Sequence, residues 1–130
     1  AMCYNLTKEN IMIYESGENY LETLLRLKQK MGAVRSIDLA AELGYSKPSI
    51  SRAVSVLKSN GFITVDAEGH LEFTDEGLAR ANEVYEKHRI LTRFLCSLGV
   101  PEEGAEQDAC RIEHIISDES FAAIKNSLDK

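Results

Sequence analysis

Long apolar runs are missing from this chain of 130 residues. No stretch approaches the ~20 residues that cross a bilayer, and the first residues do not resemble a secretory signal, so we expect no membrane association. Cysteine is also sparse, because Cys3, Cys96 and Cys110 are an odd number at unrelated spacings. A disulfide framework is not expected, and the composition favours a soluble cytoplasmic protein.

Positive charge is scarce as well, since the net charge is −6. An acidic balance usually disfavours nucleic acid, but here the excess is local. Seven acids lie in residues 101–119 beside a single arginine, whereas residues 44–60 carry three bases and no acid. The first stretch is suited to cations and the second to an anion.

A helix-turn-helix pattern occupies the basic stretch and the residues before it. A short amphipathic helix opens at Arg35 and stops at Gly44, and a second helix begins at Ser46 with Pro48 in its first turn. Apolar residues follow one face of the second helix, while serines and bases lie on the others. This arrangement is typical of DNA-binding proteins.

A hairpin is predicted directly after the second helix. The β-prone runs 62–65 and 71–73 flank a turn that Gly69 supplies. The alternative to a recognition helix is an ordinary amphipathic helix whose polar face is only solvated. The hairpin favours the winged helix, and with it DNA binding.

Further helices are predicted on either side of this region. The first runs from an N-cap near Ser16 to about Met31, and a long one runs from Thr74 to about Leu98. An acidic helix follows, and a last helix is capped at 117–118 with its apolar residues inward. The only convincing boundary lies between residues 73 and 74.

The acidic helix carries Cys110, Glu113 and His114. Spacings of three and four place all three on one helix face, where a thiolate, a carboxylate and an imidazole can converge on a divalent cation. The alternative is a solvated helix surface with one small buried thiol. His88 projects from an apolar stripe of the long helix and is more often a core residue unless it has a partner.

Four stretches of the chain together resemble the diphtheria toxin repressor family of metal-dependent transcriptional regulators, including its manganese-transport branch. They are residues 18–27, 39–63, 71–95 and 109–119, and they contain KHR around His88 and C-x-x-E-H at 110–114. The resemblance implies a mainly α fold with a small β-hairpin wing. It implies a winged helix-turn-helix DNA-binding domain at 1–73 and an all-α metal-binding and dimerisation domain at 74–130.

The resemblance also implies a metal site. Cys110, Glu113 and His114 match the family's ligand triplet in the version with cysteine first, which is typical of iron-type members. His88 matches the long-helix histidine that ligates metal in both branches. The resemblance thus implies Mn²⁺ or Fe²⁺, with one or two ions per subunit.

Other positions agree less well with either branch. Glu22 matches the first-helix glutamate of manganese-type members, whereas Asn19 departs from both branches, which have aspartate or methionine there. Glu106 and Thr92 replace a histidine and a glutamate of a second iron-type site. An ion held by the first helix and by the C-terminal half would tie two domains in one orientation, which is the expected mechanism.

The expected function is that of a homodimeric repressor that binds double-stranded operator DNA when loaded with metal and controls metal-ion homeostasis genes. The alternative is a winged-helix regulator that responds to a small organic ligand. An enzyme is not expected, because no strand-end loop or Gly-rich cradle offers a substrate cleft. The candidate DNA-binding residues are Arg35, Ser46, Lys47, Pro48, Ser49, Ser51, Arg52 and Lys58.

Overall fold

The computed structural model of the chain describes residues 9–129, with side chains from residue 17 onward. It contains six helices and one hairpin in the described range. They are α1 (Glu9–Met31), α2 (Ser36–Leu43), α3 (Lys47–Ser59), β1 (Ile63–Val65), β2 (Leu71–Phe73), α4 (Asp75–Ser97), α5 (Glu102–Ile112) and α6 (Asp118–Leu128). The predicted fold class, mainly α with a small hairpin, is confirmed.

The chain divides into two compact units. One comprises Ser16–Asn82, and the other combines the described residues before Ser16 with those from Glu83 onward. No helix in the described range is both long and apolar enough to span a bilayer. Cys96 and Cys110 are free thiols, and Cys3 lies outside the described residues.

The start of the first helix was predicted wrongly. Helix α1 begins at Glu9 and not at an N-cap near Ser16. Residues 9–15 contain neither glycine nor proline, and one glycine inside a long helix costs only about 1 kcal/mol. The Ser16–Gly17 pair is therefore tolerated in the interior of the helix, and the end at Met31 is as predicted.

The first unit packs α1, α2, α3 and the hairpin around an aliphatic core. Leu21, Leu24, Leu39, Ile50 and Leu71 are almost completely buried. Each of these residues lies on the apolar face of its own helix or strand. The apolar faces that the sequence pattern predicts therefore pack together in one core.

Local capping interactions define the ends of α2 and α3. The Arg35 backbone N–H donates to Asp38 Oδ2 over 2.9 Å at the start of α2, and Gly44 closes that helix in the left-handed region at φ 72°. At the start of α3, Ser46 Oγ accepts from the backbone N–H of Ser49 over 3.3 Å. The predicted boundaries of both helices are confirmed.

The hairpin pairs β1 and β2 antiparallel, with Thr64 opposite Glu72. Two further contacts hold the start of β2 within this unit. The backbone N–H of Leu71 donates to Val34 O over 2.8 Å, and Lys28 Nζ donates to Leu71 O over 3.1 Å. Arg35 forms an isolated antiparallel bridge with His70. The hairpin is therefore fixed to the start of α2 and to α1.

A close backbone approach joins the start of α4 to the hairpin. Thr74 Oγ1 accepts from the backbone N–H of Gly77 over 3.0 Å and donates to Gly61 O over 2.6 Å. A Cβ atom at Gly77 would lie 1.8 Å from the backbone oxygen of Phe62. This position therefore has no room for a side chain.

The second unit contains the later part of α4 together with α5 and α6. Val84, Leu91, Ala105 and Ala109 are buried. Ser117 Oγ caps α6 by accepting from the backbone N–H of Ser120 over 3.1 Å, as predicted. The apolar residues of α6 that were predicted to face inward, Phe121, Ile124 and Leu128, are half-buried.

Candidate metal centre

Three side chains of the second unit meet at one point. His88 of α4, Cys110 of α5 and Glu113 each offer a ligand atom, and these atoms all lie within 4.8 Å of one another. The three residues are buried, with exposed fractions of 4%, 3% and 1%. Burial of polar and charged groups is costly unless other groups compensate it, so this cluster is unusual for a core.

The imidazole of His88 is oriented by carboxylates. Its Nδ1 lies 3.1 Å from Glu113 Oε2, and its Nε2 lies 3.8 Å from Glu106 Oε1. Thr92, one turn later on α4, donates its hydroxyl to the backbone oxygen of His88 over 2.8 Å. The Thr92 side chain is thus engaged with its own helix.

Helix α5 ends earlier than the sequence pattern suggested. Its last residue is Ile112, Glu113 is its C-cap, and His114 lies in the turn that follows. The backbone N–H of Ile115 donates to Ile112 O over 3.0 Å, which tightens the chain after the helix. The expectation that all three residues of the triplet lie on one helix face was therefore wrong.

His114 nevertheless remains close to the cluster. Its Nε2 lies 3.5 Å from Glu113 Oε1, and its side chain is 2% exposed. It is not a member of the three-residue group whose ligand atoms all lie within 4.8 Å. Its role as a ligand stays a prediction.

The donors of the cluster fit a divalent transition metal. An imidazole nitrogen, a thiolate sulfur and a carboxylate oxygen are the ligand types that such ions take, and burial excludes competing water. The Glu113–His88 contact is of the kind that holds a ligating imidazole in one tautomer and orientation. Glu113 is thus the partner that distinguishes His88 from an ordinary core residue of an apolar stripe.

The two predicted ligands of the first helix lie in the first unit. Asn19 and Glu22 are neighbours one turn apart on α1, with exposed fractions of 6% and 2%. Arg26 Nη1 lies 3.6 Å from Glu22 Oε2. A carboxylate and an amide this deeply buried are unusual for a helix of an ordinary core. Their assignment to a metal site stays a prediction.

The predicted DNA-binding residues lie on the outer face of α3 and around it. Lys47, Ser51 and Lys58 are exposed and line an open groove of about 510 Å³. Ser36 of α2 and Ser55 of α3 line the same groove and were not singled out from the sequence. Ser55 lies four residues after Ser51 and therefore on the same helix face, and this spacing would have identified it as a candidate DNA-binding residue. Arg35, Ser46, Pro48 and Arg52 are also exposed, and Ser49 is half-exposed.

A winged helix with a basic second helix, joined in one chain to a buried set of potential metal ligands, is typical of a metal-dependent regulator of transcription. Comparison with known proteins agrees with this class. A family model described as the N-terminal DNA binding domain of iron dependent repressors matches residues 12–71, and one described as their metal binding and dimerisation domain matches residues 74–130. The chain belongs to the diphtheria toxin repressor family.

Two relatives and one solved structure illustrate the similarity. The transcriptional regulator MntR of Salmonella typhimurium is 37% identical over 106 residues, which cover 82% of this chain and 68% of that protein. The iron-dependent repressor IdeR of Mycobacterium tuberculosis is 33% identical over 108 residues, covering 82% of this chain and 47% of that protein. The structure of the metal-dependent transcriptional regulator MtsR is 26% identical at a TM-score of 0.80, covering 87% of this chain and 53% of that one.

The similarity confirms the family resemblance and the predicted metal-dependent regulatory class. These relatives are named as regulators and repressors, not as enzymes. The chain spans about half the length of IdeR and of MtsR.

Proposed function

We propose that this chain represses metal-homeostasis genes by binding operator DNA as a homodimer when Mn²⁺ or Fe²⁺ is bound. The observation that carries the proposal is the buried group of His88, Cys110 and Glu113 in a chain that also presents a basic α3. The names of MntR and IdeR, a transcriptional regulator and an iron-dependent repressor, support it. Residues 1–73 serve as the DNA-binding domain and residues 74–130 as the metal-binding and dimerisation domain.

The ion would be held by His88, Cys110, Glu113 and His114, with Glu22 and Asn19 of α1 as further ligands. A bound divalent cation supplies positive charge that neutralises the Cys110 thiolate and the carboxylates. Glu113 keeps the His88 ring in position through the 3.1 Å contact, so the nitrogen donor is available before the ion arrives.

The choice between Mn²⁺ and Fe²⁺ depends on the balance of donors. The sulfur of Cys110 favours Fe²⁺, while the oxygens of Glu22 and Asn19 favour Mn²⁺. Asn19 contributes a neutral carbonyl where a carboxylate would bind more strongly. Participation of the α1 pair therefore shifts the preference toward manganese.

DNA recognition is assigned to α3. The first residues of this helix, from Ser46 to Ser49, meet base edges in the major groove, and Arg52 and Lys58 hold phosphates. In a two-fold dimer the two copies of α3 must lie about one DNA turn apart, roughly 34–36 Å. Metal-free protein populates arrangements that do not meet this spacing. Its apparent DNA affinity is therefore the affinity of the correctly spaced dimer multiplied by the fraction of molecules with that spacing.

The proposal is tested by selecting binding sequences from a random duplex pool with Mn²⁺-loaded protein. Affinity for the selected duplex is then measured by fluorescence anisotropy with Mn²⁺, with Fe²⁺ under anaerobic conditions and with a chelator. We expect binding to weaken at least about tenfold in chelator, and His88→Ala to bind equally weakly with or without metal. Glu103→Gln, an exposed carboxylate of α5, is the matched control and retains the metal response.

Two outcomes contradict the proposal. If wild type binds DNA equally well with metal and with chelator, the protein is better described as a winged-helix regulator that responds to a small organic ligand. If His88→Ala keeps a normal metal response and a native circular dichroism spectrum, the buried group is not the sensor. Sedimentation equilibrium with and without metal tests the homodimer in the same samples.

A further inference from the structure

The tip of the hairpin carries a second group of potential metal ligands. Asp66, Glu68 and His70 each offer one ligand atom, and these atoms all lie within 4.8 Å of one another. They occupy alternate positions in the segment Asp66–Ala67–Glu68–Gly69–His70, where the chain reverses with Gly69 at φ 86°. This hairpin-tip group lies in the first unit, whereas His88, Cys110 and Glu113 belong to the second.

Both carboxylates of the group face the same nitrogen atom. His70 Nδ1 lies 3.2 Å from Asp66 Oδ2 and 3.6 Å from Glu68 Oε2. One ring nitrogen has a single proton or a single lone pair, so it cannot form a full hydrogen bond with both carboxylates. The side chain of Glu68 is 75% exposed and has room to turn elsewhere, yet it lies beside the imidazole.

The two carboxylate oxygens of Asp66 contact different groups. Oδ1 accepts the backbone N–H groups of Glu68 and His70 over 2.9 and 2.8 Å, which leaves Oδ2 directed at the imidazole. The hydrogen bond from the His70 backbone N–H is the main reason why the pKa of Asp66 is lowered, so this group is a carboxylate at neutral pH. The group thus offers two carboxyl groups and one imidazole as donors.

The distances suit a small divalent cation. Zinc–nitrogen and zinc–oxygen bonds of about 2.0–2.2 Å at tetrahedral or octahedral angles separate neighbouring donors by roughly 3.0–3.5 Å. The separations of 3.2 and 3.6 Å from His70 Nδ1 are close to this range. The third separation, between the ligand oxygens of Asp66 and Glu68, is at most 4.8 Å.

We propose that Asp66, Glu68 and His70 form a second site for a divalent transition-metal cation of the Zn²⁺ class, separate from the buried centre. The backbone of the site is already ordered, because Asp66 and His70 close the hairpin and His70 bridges to Arg35. Solvent completes the coordination, since three protein ligands leave at least one position open. The site binds more weakly than the buried centre, because its donors are hydrated before binding.

A bound cation changes the charge of the hairpin tip. The tip contains two acidic residues, Asp66 and Glu68, and a divalent ion offsets their negative charge. The consequence for DNA rests on the proposed function: an acidic tip is repelled by phosphate, and a neutralised tip is not. Operator binding then has a second, weaker metal dependence that the buried centre does not explain.

The proposal is tested on the full chain by titrating Zn²⁺ and following ¹⁵N–¹H amide resonances of the hairpin by NMR. We expect the amides of residues 66–70 to shift and saturate, with a dissociation constant below about 1 mM, the weak end of protein cation sites. Glu68→Gln weakens this binding at least about tenfold, and His70→Gln abolishes it. Glu72→Gln removes a charge from the same hairpin outside the group and leaves the affinity within about threefold.

The proposal is overturned if the amides of residues 66–70 do not shift, or if Glu68→Gln binds Zn²⁺ as wild type does. Glu68 is exposed, so this variant tests the site without risk to the fold. Failure here leaves the buried centre unaffected, because the metal response of His88→Ala is measured separately. Conversely, saturating hairpin shifts in a chain without metal-dependent DNA binding would support this site and contradict the proposed function.

Discussion

Replacement of Glu113 by glutamine separates metal binding from stability of the metal-free fold. The side chain of Glu113 is fully buried and lies 3.1 Å from His88 Nδ1. Glutamine has nearly the same shape, and its carbonyl oxygen can still accept a hydrogen bond from the imidazole. Removal of a buried negative charge offsets the weaker hydrogen bond. We therefore expect the free energy of unfolding without metal to stay within about 1 kcal/mol of wild type.

Metal-dependent stabilisation should respond very differently. Loss of a ligating carboxylate lowers affinity by at least about 100-fold, the upper end of what outer-sphere changes cause. At a metal concentration of about 100 times the wild-type dissociation constant, binding stabilises wild type by about 2.7 kcal/mol, whereas the same concentration stabilises Glu113→Gln by only about 0.4 kcal/mol. At about 3 °C per kcal/mol, these values are shifts of about 8 °C and about 1 °C.

The assay is thermal unfolding followed by circular dichroism at 222 nm, with Mn²⁺ and with chelator. Glu103→Gln, exposed on the same helix, is the control for loss of one negative charge and should behave as wild type. Equal metal-induced shifts in Glu113→Gln and wild type would refute the assignment of Glu113 as a ligand. If Glu113→Gln is unfolded without metal, the claim that the metal-free fold does not depend on the Glu113 charge is refuted.

Four further outcomes are expected. Gly77→Ala lowers the free energy of unfolding in urea by about 1–3 kcal/mol, because its Cβ would overlap a backbone oxygen, whereas Gly104→Ala, whose Cβ has room, does not destabilise. Lys58→Ala weakens binding to all duplexes alike and lowers the slope of log affinity against log salt by about 1. Asn19→Asp tightens the Mn²⁺ titration, and an unchanged titration would place Asn19 outside the metal site. Asp66→Asn lowers thermal stability at pH 7, and the difference disappears in acid, since a group with a lowered folded-state pKa loses its stabilisation as the pH falls through that pKa.

The helix-turn-helix and the hairpin could be predicted from local chemistry. Gly44, Pro48 and Gly69 each require a particular backbone conformation, so their spacing determines where α2 ends, where α3 begins and where the chain reverses. The start of α1 could not be predicted in this way. Ser16 resembles a cap, but a cap residue is also tolerated inside a long helix, and only the structure distinguishes the two cases.

The metal centre was less predictable because its members are far apart in sequence. His88 and Glu113 are separated by 25 positions, and no periodicity relates them. Family resemblance brought them together. The spacing within the triplet brought Cys110 and Glu113 together as expected, but His114 lies beyond the end of the helix. The hairpin-tip group was missed because Asp66, Glu68 and His70 were interpreted only as turn residues, although alternate positions on either side of a reversal can converge.

The hydrogen bonds at the start of β2 have a practical consequence for protein engineering. Val34 and Leu71 are joined through their backbones, so residues 34–73 form a segment that contains both partners of this contact. A chimera that exchanges this whole segment for that of a relative takes both partners of the Val34–Leu71 hydrogen bond from one protein, and it should keep the donor's operator preference. The recipient must retain Lys28, because this side chain reaches Leu71 and Glu72 from outside the exchanged segment.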